Sequence, residues 1–139
     1  MLPQRGPRPT DRLHLLLVDD DLFLLEALQR GIHRSRPGWS VHAAGSAVQA
    51  MRLLDRLGAD LDVAVCDILM PELPGTRLLK LIRDLFPHIV RMSLSGMLDG
   101  PSLVGAGKHS ECRLCKPIPA ELLCLHIIAT YCERHQLSA

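Results

Sequence analysis

The run Val63-Ala64-Val65-Cys66 has no polar break, and Asp67 ends it. A strand-length stretch that is apolar at every position suits a strand covered on both faces, as in a parallel sheet with helices above and below. Other runs end in the same way. Residues 14–18 lead into Asp19-Asp20-Asp21, and residues 89–94 lead into Ser95-Gly96. Helical periods lie between them: Leu24, Leu25, Leu28 and Ile32; Ala47, Met51, Leu54 and Leu57, with Ser46 as N-cap and Gly58 as stop; Leu78, Leu79, Leu81, Ile82 and Leu85 over 76–86. A last helix opens with Pro119 in its first turn and uses Leu122, Leu123, Leu125, Ile127, Ile128 and Tyr131. Short strands are expected at 39–43 and 113–115. A helix over 99–108 is the least favoured by propensity, because Gly100, Gly105 and Gly107 each cost up to about 1 kcal/mol in a helix interior. The alternation predicts an α/β fold wound around a parallel sheet.

At 139 residues the chain makes one domain. Residues 1–11, with three prolines and three charges, read as a disordered arm before a domain over 12–136. A net charge of +1 and four aromatic residues offer neither an electrostatic footprint nor a stacking surface for nucleic acid. The arm lacks the apolar core of a signal peptide and no segment reaches transmembrane length, so a cytoplasmic protein with no membrane partner is expected. Of the five cysteines, Cys66, Cys124 and Cys132 lie in apolar segments and read as core residues. Cys112-x-x-Cys115 has the spacing of half a zinc or redox motif, but no second Cys or His pair completes it.

Acids at two strand ends, a hydroxyl at a third and Lys116-Pro117 after the last short strand occupy the edge where open α/β sheets place their chemistry. Taken singly, each has a bland reading: an acidic run caps a helix, and Ser-Gly makes a turn. Their joint order, with Met70-Pro71 and Gly75 following Asp67, resembles the receiver domain of bacterial two-component response regulators over about residues 13–131. The resemblance implies a flavodoxin-like, doubly wound, five-stranded parallel sheet of order 2-1-3-4-5 with helices on both faces. It implies Asp67 as phosphoacceptor, and Mg2+ held by Asp19, Asp20, Asp67 and the backbone carbonyl of Leu69. Ser95, Gly96 and Lys116 would bind the phosphoryl group and switch on it.

The implied partners are a sensor histidine kinase or histidine phosphotransfer protein and a downstream effector. A homodimer through residues 99–108, the fifth strand and the last helix is a further possibility the resemblance raises. The chain would not be an enzyme beyond self-dephosphorylation. Three positions depart from the family pattern. Arg113 stands where the switch aromatic is usual, and Leu69 and Met97 are apolar where polar side chains orient attacking water in some members. Two rival readings are weighed beside it: a pseudo-receiver that binds partners without phosphate, and a small phosphatase resembling the haloacid dehalogenases that would use Asp19. The latter's Asp-x-Asp motif is mimicked by Asp19-Asp20-Asp21, but no acidic pair follows Lys116.

Overall fold

In the computed structural model, which describes residues 6–71, 73–96 and 109–138, five parallel strands form one sheet in the order β2-β1-β3-β4-β5. These are β1 (His14–Val18), β2 (Ser40–Ala44), β3 (Val63–Asp67), β4 (Val90–Ser95) and β5 (Cys112–Cys115). The helices are α1 (Leu22–Ser35), α2 (Ala47–Leu57), α3 (Gly75–Leu85) and α4 (Ala120–His135). The helix expected over 99–108 lies outside the described residues.

Strand periodicity divides the core in two. Leu15 and Leu17 of β1, Val63 and Val65 of β3 and Met92 of β4 pack with Leu25, Leu28 and Ile32 of α1 and Leu123 and Ile127 of α4. Leu16, Val18, Ala64 and Cys66 turn the other way, onto Ala47, Ala50 and Leu54 of α2 and Leu78, Leu79 and Ile82 of α3. That second layer is rich in alanine, which lets two helices lie close on the same sheet face. The doubly wound reading follows directly: one apolar strand serves two cores.

Asp21 caps α1 by accepting from the Leu24 amide (3.1 Å), and Ser46 caps α2 by accepting from the Gln49 amide (3.2 Å). Gly58 ends α2 after Leu57 as expected, whereas Pro119 sits one position earlier than expected. Gly58 is right-handed and continues into a 3₁₀ turn, Gly58–Asp60, so it is no left-handed stop. It is small because a Cβ there would meet the Phe86 ring at 2.4 Å. Pro119 sits at the N-cap, φ −64° and ψ 146°, with the helix starting at Ala120.

Polar groups pin the amino-terminal edge of the sheet. Arg91, buried in β4, donates to the His109 carbonyl (2.9 Å), while its amide donates to Glu111 (2.7 Å). Arg134 pairs with the other oxygen of Glu111 and donates to the Pro87 carbonyl (2.9 Å). Burial lowers the Arg91 pKa, and the adjacent Glu111 opposes that effect.

The arm, too, is tied down from Arg8 onward, whereas its composition alone suggested disorder. The Arg8 guanidinium meets buried Asp62 at 2.9 Å, its amide donates to the Tyr131 hydroxyl (2.6 Å), and the Trp39 indole donates to the Thr10 carbonyl (2.7 Å). Removing one partner of a buried pair strands the other. Arg8→Ala is therefore expected to cost about 1–3 kcal/mol, moderated because Asp62 keeps the His14 amide (2.7 Å). Urea unfolding measures it, and a change under about 0.5 kcal/mol would show that the pair contributes only as a surface contact.

Candidate functional site

Because β1 and β3 are neighbours in register, Val18 opposite Cys66, their next residues bring Asp19 and Asp67 side by side. Asp19 and Asp67 are buried and Asp20 is exposed, and one carboxylate oxygen from each lies within 4.8 Å of the others. Asp21 turns away to cap α1, so the acidic run is split between pocket and helix cap. Asp67 is oriented by the Leu69 amide, which donates to its Oδ1 at 3.2 Å. Behind it α3 begins against the strand end: the Gly75 amide donates to the Ile68 carbonyl (2.9 Å).

Lys116 reaches in from the end of β5. Its Nζ stands 2.5 Å from Asp19 Oδ2 and 3.4 Å from Asp67 Oδ2. Lys116 is thus the partner of that buried Asp19 oxygen, an ammonium donating to a carboxylate at charge-assisted hydrogen-bond distance. The Lys116–Pro117 peptide is cis. Ser95, at the buried end of β4, is opposite Cys115 in register, and its carbonyl accepts from the Lys116 amide (2.7 Å). Gly96 is exposed, and among the described residues a Cβ on it would find the Lys116 side chain alone, at 3.9 Å. A hollow of about 100 Å³ opens beside Asp20, bordered by Gly45, Ser46, Met70 and Pro71.

A family profile described as the response regulator receiver domain matches residues 15–127. The chain belongs to this family. Among curated proteins, the receiver is 36% identical over 84 residues to sensor kinase CckA of Brucella abortus, covering 59% of this chain and 8% of that protein. It is 32% identical over 111 residues to the transcriptional regulatory protein GlrR of Escherichia coli K12, covering 79% of this chain and 24% of that protein. The chain thus spans a minor part of these relatives. A CheY-like receiver domain from Methanospirillum hungatei superposes with a TM-score of 0.79 at 21% identity, covering 90% of this chain and 98% of that one. The receiver domain of an HD domain-containing protein from Pseudomonas fluorescens also gives 0.79, at 26% identity and the same coverage.

Three carboxylates and one ammonium leave the receiver pocket negative. Burial first, and then the Asp19 charge, push the Asp67 pKa up to about 6, against the opposing pull of the Leu69 amide and Lys116. Burial alone would lower the Lys116 pKa, but the adjoining Asp19 and Asp67 outweigh it and raise it. Such a cluster favours a bound cation or proton. Three convergent carboxylate oxygens, two of them on buried side chains, suit a hard divalent ion that keeps some of its water, as magnesium does.

Elsewhere the sequence candidates separate. Cys66 is buried and its thiol is pushed up to about 12 by burial and by Asp67, so it is an inert core group. Cys112 and Cys115 are three residues apart on β5, which turns them to opposite faces and rules out a shared ion. Arg113 is exposed. Met97 lies outside the described residues. Sequence reading passed over Asp62 and Arg91; an acid just before an apolar run and an arginine inside one were the available signals.

Proposed function

We propose that this receiver takes a phosphoryl group onto Asp67 from a sensor histidine kinase or histidine phosphotransfer protein in the cytoplasm, and that phosphorylation changes its binding to a downstream effector. The carrying observation is the convergence of Asp19, Asp20 and Asp67 with Lys116 at the carboxyl ends of β1, β3 and β5. A carboxylate oxygen of Asp67 forms the new bond to phosphorus as the bond to the donor histidine nitrogen breaks, and the imidazole leaves with that electron pair. Asp19, Asp20, Asp67 and the Leu69 carbonyl would hold Mg2+, which supplies positive charge against the phosphoryl oxygens.

Lys116, already between two carboxylates, transfers its contact to a phosphoryl oxygen, and the Ser95 hydroxyl and the Gly96 backbone lie at the same edge to donate to another. Arg113, in place of an aromatic, stays outside because an unpaired buried guanidinium is costly. Self-association through β5 and α4 belongs to the same reading, supported by the exposure of Leu122 and Leu125 on α4. The domain catalyses nothing beyond loss of its own phosphoryl group.

Incubation with acetyl phosphate and magnesium, followed by phosphopeptide mapping, tests this. Label at Asp67 that disappears in EDTA is expected. Label at Asp19 would identify the phosphatase reading, although Asp21, spent as a helix cap, weighs against it. An unlabelled protein would identify an interaction module. Leu69 has a half-exposed apolar side chain beside the phosphoacceptor and offers no hydrogen bond to water. Leu69→Asn is expected to shorten the phosphoryl lifetime severalfold, as followed by loss of label.

A further inference from the structure

Between α2 and α3, on the sheet face opposite α1 and α4, runs a trough of about 510 Å³. Val48, Met51 and Leu54 form one wall, and Leu81, Leu85 and Phe86 form the other. Val48 is 50% exposed, Met51 48%, Leu81 37% and Leu85 68%, although each would be better buried. They recur at helical spacing, 48 and 51 on one helix, 81 and 85 on the other, so both crests are continuous. Clustered aliphatic exposure of this kind marks a contact surface.

The exposed charges of the two helices are one-sided. Arg83 and Asp84 pair with each other at 3.2 Å. What remains exposed on α2 and α3 is Arg52, Arg56, Arg77 and Lys80 against Asp55, of which Arg52 and Asp55 border the trough itself, and none of the four basic groups forms an ion pair among the described residues. This bias sits on a chain whose net charge is only +1.

We propose that the α2–α3 trough docks an amphipathic helix of a partner protein, one whose apolar ridge is flanked by aspartate or glutamate. A ridge of side chains at i, i+3 or i+4 and i+7 fills a concave apolar channel, and acidic flanks meet the basic surface of α2 and α3. A second copy of this chain fits less well. Two-fold pairing would set basic surface against basic surface, and four half-exposed side chains fall short of the about 800 Å² per partner of a standard interface. An anionic membrane would match the charge but not the concavity, since insertion needs apolar groups that protrude.

Two short helix-forming peptides with the same leucine ridge, one flanked by glutamate and one by lysine, test the assignment in methyl NMR titrations of the full chain. The glutamate peptide is expected to shift the Val48, Met51, Leu81 and Leu85 methyl signals. It should bind at least roughly tenfold tighter than the lysine peptide and weaken with salt. Met51→Ser and Leu85→Ser, both at exposed positions that spare the fold, should each weaken it severalfold. Equal affinity for both peptides, no binding of either, or shifts confined to another face would overturn the proposal. So would partition onto anionic vesicles abolished by Leu85→Ser, or self-association lost in that variant, since each names a different occupant.

Discussion

Asp67→Asn is expected to abolish phosphoryl uptake and, in magnesium-free buffer near neutral pH, to make the domain more stable. The first half follows from the loss of the nucleophilic carboxylate. The second follows from a raised pKa: Asp67 titrates near 6 in the folded chain, against 3.8 as the ordinary value. Between those values the native state binds more protons than the unfolded one, so stability falls as pH rises through that window. Below about pH 4 the carboxyl is protonated in both states and imposes no penalty. Above about pH 6 the full cost of its ionisation is present, on the order of 1–3 kcal/mol. An asparagine carries no such cost. Urea unfolding of both proteins at pH 4 and pH 7 should therefore show near-equal stability at the acid end and an advantage for the variant at the neutral end. Millimolar magnesium should narrow the gap by binding the native wild-type pocket. A variant less stable at both pH values would mean that Lys116 holds Asp67 more strongly than burial opposes it.

Gly75→Ala is the other substitution with a large expected effect, and the cause is distance. A Cβ on Gly75 would lie 1.9 Å from the Asp67 carbonyl oxygen and 2.9 Å from the Ile68 Cα. Both are backbone atoms, so no rotamer relieves the clash. Either α3 backs off the sheet, opening the core around Leu78 and Leu79, or the end of β3 moves and carries Asp67 with it. Overpacking against side chains typically costs 1–3 kcal/mol, and a backbone collision belongs at or above about 3 kcal/mol. Phosphoryl uptake should slow by roughly tenfold or more, because a displacement near 1 Å at the reacting atom is enough to do so. If uptake and urea midpoint both match wild type, the start of α3 is less tightly held against β3 than its geometry indicates.

The order of acids, hydroxyl and lysine was readable because every one of them interrupts an apolar run, and strand length alone then puts them on one edge of a parallel sheet. The two-faced core was readable from 63–66 for the same reason. Gly58 was legible as the end of α2 but not in how it serves there, because a glycine after a helix has two possible uses, a left-handed turn or close approach, and only the position of Phe86 distinguishes them. The Arg8 contact was not legible because a proline-rich composition describes local preference and carries no trace of Asp62, which lies fifty-four residues away in sequence. Asp21 shows a finer ambiguity: three consecutive acids share one composition, while the backbone direction at the end of β1 assigns them different work.

The Arg8 anchor bears on where this unit can be cut. The family profile spans residues 15–127, which leaves Arg8, Thr10 and Tyr131 outside. A fragment trimmed to that span would keep every pocket residue and still lose the cation that faces Asp62, the acceptor of the Trp39 indole and a fully buried aromatic ring. Recognisability and mechanical self-sufficiency therefore have different limits in this chain. The pattern shared with relatives marks the part that does the chemistry. A clasp, formed by a proline-rich arm and the last turns of α4, closes the opposite end of the sheet. Transplanting the receiver into another protein would succeed or fail on whether residues 8–12 and 128–135 travel with it.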